Sequence, residues 1–101
     1  MSALFVDISA RTADALLAPQ GHCFSHAEAC RLFVRALAAQ AQRIVIDLAR
    51  IDDATTSAFA QLVLLRRTLR KTGRDLCLTG LHDRAENLFT VNRLDGVLPR
   101  Q

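Results

Sequence analysis

Apolar and polar positions follow two rhythms along this chain, and the change from one to the other marks its elements. The clearest case runs from Arg43 to Leu69. It opens with Ile44-Val45-Ile46-Asp47-Leu48, a nearly continuous apolar run rich in β-branched residues, which suits a strand covered on both faces. It closes with Phe59, Leu62, Val63, Leu65, Arg66 and Leu69, spaced to give a helix one apolar stripe. Between them lies Asp52-Asp53-Ala54-Thr55-Thr56-Ser57, a polar hinge without Gly or Pro. A buried strand, a polar turn and a helix start bring backbone N–H groups and hydroxyls to one spot, and function is expected there.

The flanking segments are read in the same way. Residues 3–9 predict a first strand, and residues 13–19 a second that ends at Pro19 and turns at Gly21. Ser25 and Glu28 form the S-x-x-E pattern of a capping box, in which each side chain accepts from the other's backbone N–H. The helix body, Ala29 to Gln40, places Leu32, Phe33, Ala36 and Leu37 on one face. The hinge helix is expected to reach Lys71, with Gly73 as its C-terminal cap and Arg66, Arg67, Arg70 and Lys71 near the negative end of its dipole. Asp75 to Leu81 reads as a further strand. Asp83 is expected to cap a last helix, Arg84 to Arg93, whose buried side carries Ala85, Leu88, Phe89 and Asn92 or Val91. Leu94, Val97, Leu98 and Pro99 form an apolar latch. This order predicts an α/β fold in one domain over residues 1–101, with a mixed sheet of about four strands and helices packed against it.

Composition narrows the picture only slightly. With 50% apolar and 23% charged residues, the chain reads as an ordinary globular protein rather than a disordered one. Five Phe and no Trp or Tyr imply an aliphatic core. A net charge of +3 requires no nucleic-acid partner. Three cysteines without a CxxC motif suit small buried thiols in a reducing compartment. No apolar run approaches the roughly 18–20 residues that span a bilayer, so no direct membrane insertion is expected. The N-terminus lacks the basic and apolar segments of a signal peptide. A cytoplasmic location is the expectation.

From Ile44 onward the order of features resembles the STAS domain, the fold of bacterial anti-sigma factor antagonists. Asp47-Leu48-Ala49-Arg50 stands where that family has Asp-Leu-Ser-Gly. Thr55-Thr56-Ser57-Ala58-Phe59 takes the place of Asp-Ser-Ser-Gly-Leu. Lys71-Thr72-Gly73-Arg74, Leu76-Cys77-Leu78-Thr79-Gly80 and Leu94-Asp95-Gly96-Val97-Leu98 follow in the family's order. The resemblance covers residues 43–99 by motif, and the first 42 by element order alone.

That resemblance implies a bacterial protein-interaction module for transcription regulation and signalling, not an enzyme, with no cofactor. Its implied partner is an anti-sigma factor, a serine kinase with the histidine-kinase-like ATPase fold. The implied contact is Asp52, Asp53, Thr55, Thr56, Ser57, Ala58 and Phe59, with Thr56 or Ser57 as phospho-acceptor. A phosphate can be held at a helix N-terminus. Two family positions differ, since Thr55 replaces Asp and Ala58 replaces Gly. Asp52 or Asp53 are candidates to supply the missing carboxylate, and Thr55 or Thr56 can equally be a simple helix N-cap. STAS domains also serve as small subunits that bind the ATPase of an ABC-type lipid-transport system.

Other signals rank lower. A nucleotide or anion could use the basic run at Arg66, Arg67 and Arg70, although a solvated helix end explains it as well. His22, Cys23, His26 and Cys30 tempt a metal reading, but the capping box leaves His22 off the helix face, and none is assigned. Asp52 and Asp53 are adjacent and point apart, unlike a catalytic carboxylate pair. The Asp47 carboxylate is expected to accept hydrogen bonds in its turn. A homodimer through a strand edge is conceivable on this sequence, though no residue argues for it.

Overall fold

The computed structural model describes residues 14–101; the strand expected at residues 3–9 lies outside them. The elements are β1 (Asp14–Leu17), β2 (Cys23–Phe24), α1 (His26–Ala38), β3 (Arg43–Asp47), β4 (Asp53–Ala54), α2 (Thr56–Arg70), β5 (Asp75–Thr79), α3 (Asp83–Val91) and a 3-10 turn at Leu94–Gly96. This is an α/β fold. One sheet has the order β1-β3-β5, and β2 pairs with β4 in a separate two-stranded ladder. Every strand pairing among the described residues is parallel.

The central strand follows from its residues. Ile44 lies beside Leu76, Val45 beside Cys77 and Ile46 beside Leu78, and all six are buried. Alternation sends Ile44 and Ile46 into the main core, while Val45 and Cys77 share the opposite face. Both faces of β3 are therefore apolar, as its continuous run requires. The latch at the C-terminus is also real. Pro99 O accepts from Leu78 N–H at 2.8 Å, and Gln101 N–H donates to Leu78 O at 2.7 Å, so the chain end adds a short bridge along β5. Leu98 is fully buried, whereas Val97 is exposed.

The helices depart from expectation in detail. Ser25 does cap α1, accepting from Glu28 N–H at 3.3 Å. The reciprocal half of the box is not made: Glu28 accepts from Gln20 N–H and pairs with Arg31 instead. The buried face of α1 is Ala29, Leu32 and Ala36, with Leu37 outside it. In α2 the buried face is Ala58, Phe59, Leu62, Leu65 and Leu69. Its last turn closes as a Schellman motif around Gly73: Arg74 N–H donates to Leu69 O and Gly73 N–H to Arg70 O, with Gly73 at φ +76°. Asp83 is not the cap of α3. His82 holds that position without a side-chain cap bond, and Asp83 is the first helical residue at φ +54°. Ala85 and Phe89 are buried on α3, while Val91 and Asn92 face outward.

The aliphatic core has an aromatic thread that composition did not suggest. Phe24 meets Phe59 edge to face at 6.0 Å, and Phe59 meets Phe89 at 5.8 Å. All three rings are buried, so β2, α2 and α3 are tied together. Of the cysteines, none is disulfide-bonded; Cys77 is buried as expected, but Cys23 is exposed.

Leu62→Ala should cost about 2–5 kcal/mol in urea unfolding, because a fully buried side chain leaves a cavity. Gly80→Ala should also destabilise, by more than about 1 kcal/mol. Gly80 sits at φ +79°, and a Cβ there would lie 2.7 Å from the Ala49 backbone nitrogen. A cost near zero for either variant would contradict the packing described.

Candidate functional site: the head of helix α2

A strand pair of two residues each positions the hinge. Cys23 and Phe24 lie beside Asp53 and Ala54, and Thr55 N–H donates to Phe24 O at 3.1 Å. Because β2 leads into α1 and β4 into α2, the two helices begin side by side. Thr55 is extended and its Oγ1 accepts from Ala58 N–H at 3.1 Å, so Thr55 is the N-cap. Thr56 and Ser57 open the helix as exposed residues.

The Ser57 hydroxyl is hydrogen-bonded to Nδ1 of His26, the first residue of α1. The other ring nitrogen, Nε2, lies 3.5 Å from Cys30 Sγ. His26 and Cys30 thus do share a helix face, and His26 joins the two helix heads. Cys23 is exposed on β2, and His22 lies 3.7 Å from Asp52. Neither joins that pair.

The remaining candidates separate into two groups. Ala58 and Phe59 are buried and belong to the core, although Phe59 also lines the apolar groove that starts at Thr56. Asp52 and Asp53 face α3. Asp52 pairs with His22 and its carbonyl accepts from Ala85 N–H. The Asp53 carboxylate accepts from Ala54 N–H and lies 3.8 Å from Arg84. Among the described residues, neither carboxylate bonds to Thr56 or Ser57, so the missing Asp has no substitute there. Asp47 accepts from Ala49 N–H at 3.0 Å, the turn role expected of it.

An apolar groove starts at Thr56 and continues past Ala60, Val63 and Leu64 to Leu94, enclosing about 430 Å³. Leu64 is 46% exposed at its edge, which makes this an open apolar surface that begins at Thr56. The basic run is only partly available. Arg66 pairs with Asp75 through two contacts, at 2.9 and 3.4 Å, and donates to Val97 O. Arg74 donates to Ala36 O and Ala41 O near the end of α1. Arg67, Arg70 and Lys71 remain exposed. Partial burial pushes the Asp75 carboxyl up, but the hydrogen bonds from Arg66 and Leu76 N–H outweigh it and hold the pKa below its ordinary value.

His82 was missed by sequence reasoning. Its Nδ1 lies 2.8 Å from Asp83 Oδ2 and its Nε2 2.8 Å from Ala49 O. The adjacent His-Asp pair was the available signal. Donor atoms of Asp52, His82 and Asp83 lie within 4.8 Å of one another, the one such group found among the described residues. Both His82 nitrogens already face acceptors, so the cation suited to this cluster is the imidazolium itself. The hydrogen bonds to Asp83 and Ala49 raise the His82 pKa.

The ladder, the paired helix heads and the hydroxyl-bearing start of α2 define a small α/β domain of the STAS type. The family model described as "Mlab, STAS domain" matches residues 21–99, and the chain belongs to the STAS family. No curated protein matches the sequence. Among solved structures, the chain is similar to a sulfate transporter family protein from Wolinella succinogenes, at TM-score 0.70 and 17% identity. That match covers 84% of this chain and 70% of the other, and at this identity it shows the shared fold. No helix among the described residues is long and apolar enough to cross a membrane.

The raised His82 pKa has a defined sign. Its bridge contributes stability that is fully present below the unfolded-state pKa of 6.5 and is lost as pH rises through the folded-state value. His82→Asn should therefore flatten the stability–pH profile in the window from 6.5 up to the folded-state value, as read by thermal melts across the range. An unchanged profile would show that the bridge is not linked to folding.

Proposed function

We propose that this chain is a protein-docking module that controls an ATP-binding partner through the head of α2. The observation that carries the reading is the exposed Thr56 at the mouth of an open apolar groove, with the exposed Ser57 next to it at the helix start. Such a surface offers apolar area for affinity and a neutral polar point for specificity. Added phosphate, with a charge of roughly −1.5 to −2, would change that point from an acceptable contact into a repulsive one. In this form the chain is an anti-sigma factor antagonist-like regulator, and its partner is a serine kinase of the histidine-kinase-like ATPase fold.

A second reading is favoured by a specific feature. Thr55 spends its hydroxyl on the helix cap, while Asp52 and Asp53 are held toward α3. With no carboxylate beside the hydroxyls, the same surface suits a fixed docking site. The family match to the Mlab type of STAS domain accords with a small subunit bound to the ATPase of an ABC-type transport system.

Affinity capture of the tagged chain from its host, with mass spectrometry of partner and phosphate, distinguishes the two. A kinase-fold partner with phosphate on Thr56 or Ser57 supports the regulator. An ABC-type ATPase with an unmodified chain supports the transport subunit. Thr56→Glu should weaken partner binding at least tenfold, about 1.4 kcal/mol, while leaving the melting temperature nearly unchanged. Unchanged affinity would remove the head of α2 from the interface.

A further inference from the structure

The first turns of α1 bring an imidazole and a thiol together. His26 opens the helix as an exposed residue, and Cys30 follows one turn later, half-buried. Residues four apart on a helix share a face, and here their donor atoms meet: His26 Nε2 lies 3.5 Å from Cys30 Sγ. The other ring nitrogen, Nδ1, is hydrogen-bonded to the Ser57 hydroxyl at the start of α2. We propose that His26 Nε2 and Cys30 Sγ form a binding site for a thiophilic transition-metal ion of the Zn2+ class, with Ser57 positioning the ring.

The spacing is what a shared metal requires. A tetrahedral Zn2+, with Zn–S about 2.3 Å and Zn–N about 2.0–2.1 Å, holds its sulfur and nitrogen ligands about 3.5–3.6 Å apart. Ligands at i and i+4 are also the helix-borne arrangement by which paired histidines hold Zn2+. A metal-bound imidazole almost always donates its second N–H to an oxygen, and the Ser57 hydroxyl can accept from Nδ1–H. In that tautomer Nε2 is the unprotonated nitrogen, on the Cys30 side. Binding moves one proton. The Cys30 thiol loses it to water as the Sγ–metal bond forms, while Nε2 supplies its lone pair without changing protonation. This chain then fills two positions of the tetrahedron, and water or a small donor from solution takes the other two.

The surroundings select the ion and the residues. Sulfur with imidazole suits Zn2+ or Cu+, whereas Mg2+ and Ca2+ take oxygen ligands. His26 is exposed, so an ion reaches the pair from solvent. Glu28, the carboxylate of the same helix turn, is engaged by Gln20 N–H and Arg31. The Asp52, His82 and Asp83 cluster differs at the decisive point. Both His82 nitrogens face oxygen acceptors, on Asp83 and Ala49, so a metal there would have to displace one of those bonds. Among the thiols, Cys77 is buried in the sheet and Cys23 lies on β2, while Cys30 is the one that meets His26.

The test uses the reduced full chain, with Co2+ as the spectroscopic probe and Zn2+ as its competitor. Co2+ titration should bring up the near-ultraviolet thiolate-to-cobalt charge-transfer band, and added Zn2+ should bleach it. Cys30→Ser should abolish the band, His26→Gln should weaken Co2+ binding at least tenfold, and Cys23→Ser should leave both unchanged. Ser57→Ala should weaken binding by roughly 10–100-fold, the usual effect of losing an outer partner of a metal-bound His. Thermal melts without metal establish that each variant is folded. In the unaltered chain, nitrogen-15 NMR should show Zn2+ shifting the His26 Nε2 resonance and leaving those of His22 and His82 in place, a readout independent of any variant. Absence of the thiolate band, its persistence in Cys30→Ser, or an unmoved His26 Nε2 resonance would each overturn the site. Loss of the band in a folded Cys23→Ser variant would overturn it as well, by moving the thiol ligand to β2.

Discussion

The site depends on a strand pair of two residues each. Cys23–Phe24 beside Asp53–Ala54 is the smallest element of the fold, yet both helix heads are placed by it. Asp52 and Asp53 N–H groups converge on His22 O, and Thr55 N–H reaches Phe24 O, so backbone bonds hold the hinge from Asp52 to the helix cap. A ladder this short has little stability of its own. Phe24 supplies what the ladder lacks, since its ring is fully buried and packs on Phe59, which packs on Phe89. Each edge-to-face pair adds about 0.5–1.5 kcal/mol beyond burial. The geometry of the hydroxyls is therefore set by aromatic packing beneath them.

The charges divide along the same lines. Arg66 and Arg74 sit in a stretch that looks like a uniform basic surface, but both are tied inward. Arg66 bridges α2 to β5 through Asp75 and to the C-terminal segment through Val97 O. Arg74 meets carbonyls at the end of α1, where a cation is favoured by the helix dipole. Asp52, His82 and Asp83 collect on the α3 side of the hinge, away from Ser57. The head of α2 is left nearly neutral, and on the docking reading proposed above one added phosphate would dominate its field.

The legible part of the fold was the part governed by periodicity. β3, α2 and β5 stand out because each buries a run or a stripe that no other element could bury. Residues 13–19, rich in alanine, were read as a strand against their helical propensity, and β1 is one over Asp14–Leu17. Its place beside β3 overrides local preference. The site itself was half legible. The resemblance pointed to Thr55, Thr56 and Ser57 by position, but it could not separate a cap from an exposed hydroxyl. Ala58 and Phe59 followed in the same motif as part of the implied contact; both are buried, and Phe59 reaches the groove as one of its lining residues. His26 was illegible as a partner of Ser57 because the contact spans 31 positions and two elements. The ladder that creates it, two residues per strand, is too short to leave a pattern.

Thr55 shows what the departure from the family motif costs and what it preserves. Asp and Thr are both competent N-caps, and Thr55 Oγ1 does bond to Ala58 N–H. Helix formation therefore survives the replacement with little loss. What disappears is a formal negative charge at the point where α2 presents its unsatisfied N–H groups. A carboxylate there would interact favourably with those groups and with the positive end of the helix dipole, and the neutral Thr55 forgoes that interaction. With Thr55 neutral, the cap brings no formal charge to the helix head, where His26 of α1 meets Ser57. A partner that meets this surface must tolerate an uncharged cap, so the replacement changes the electrostatics of recognition while leaving the fold that presents it in place.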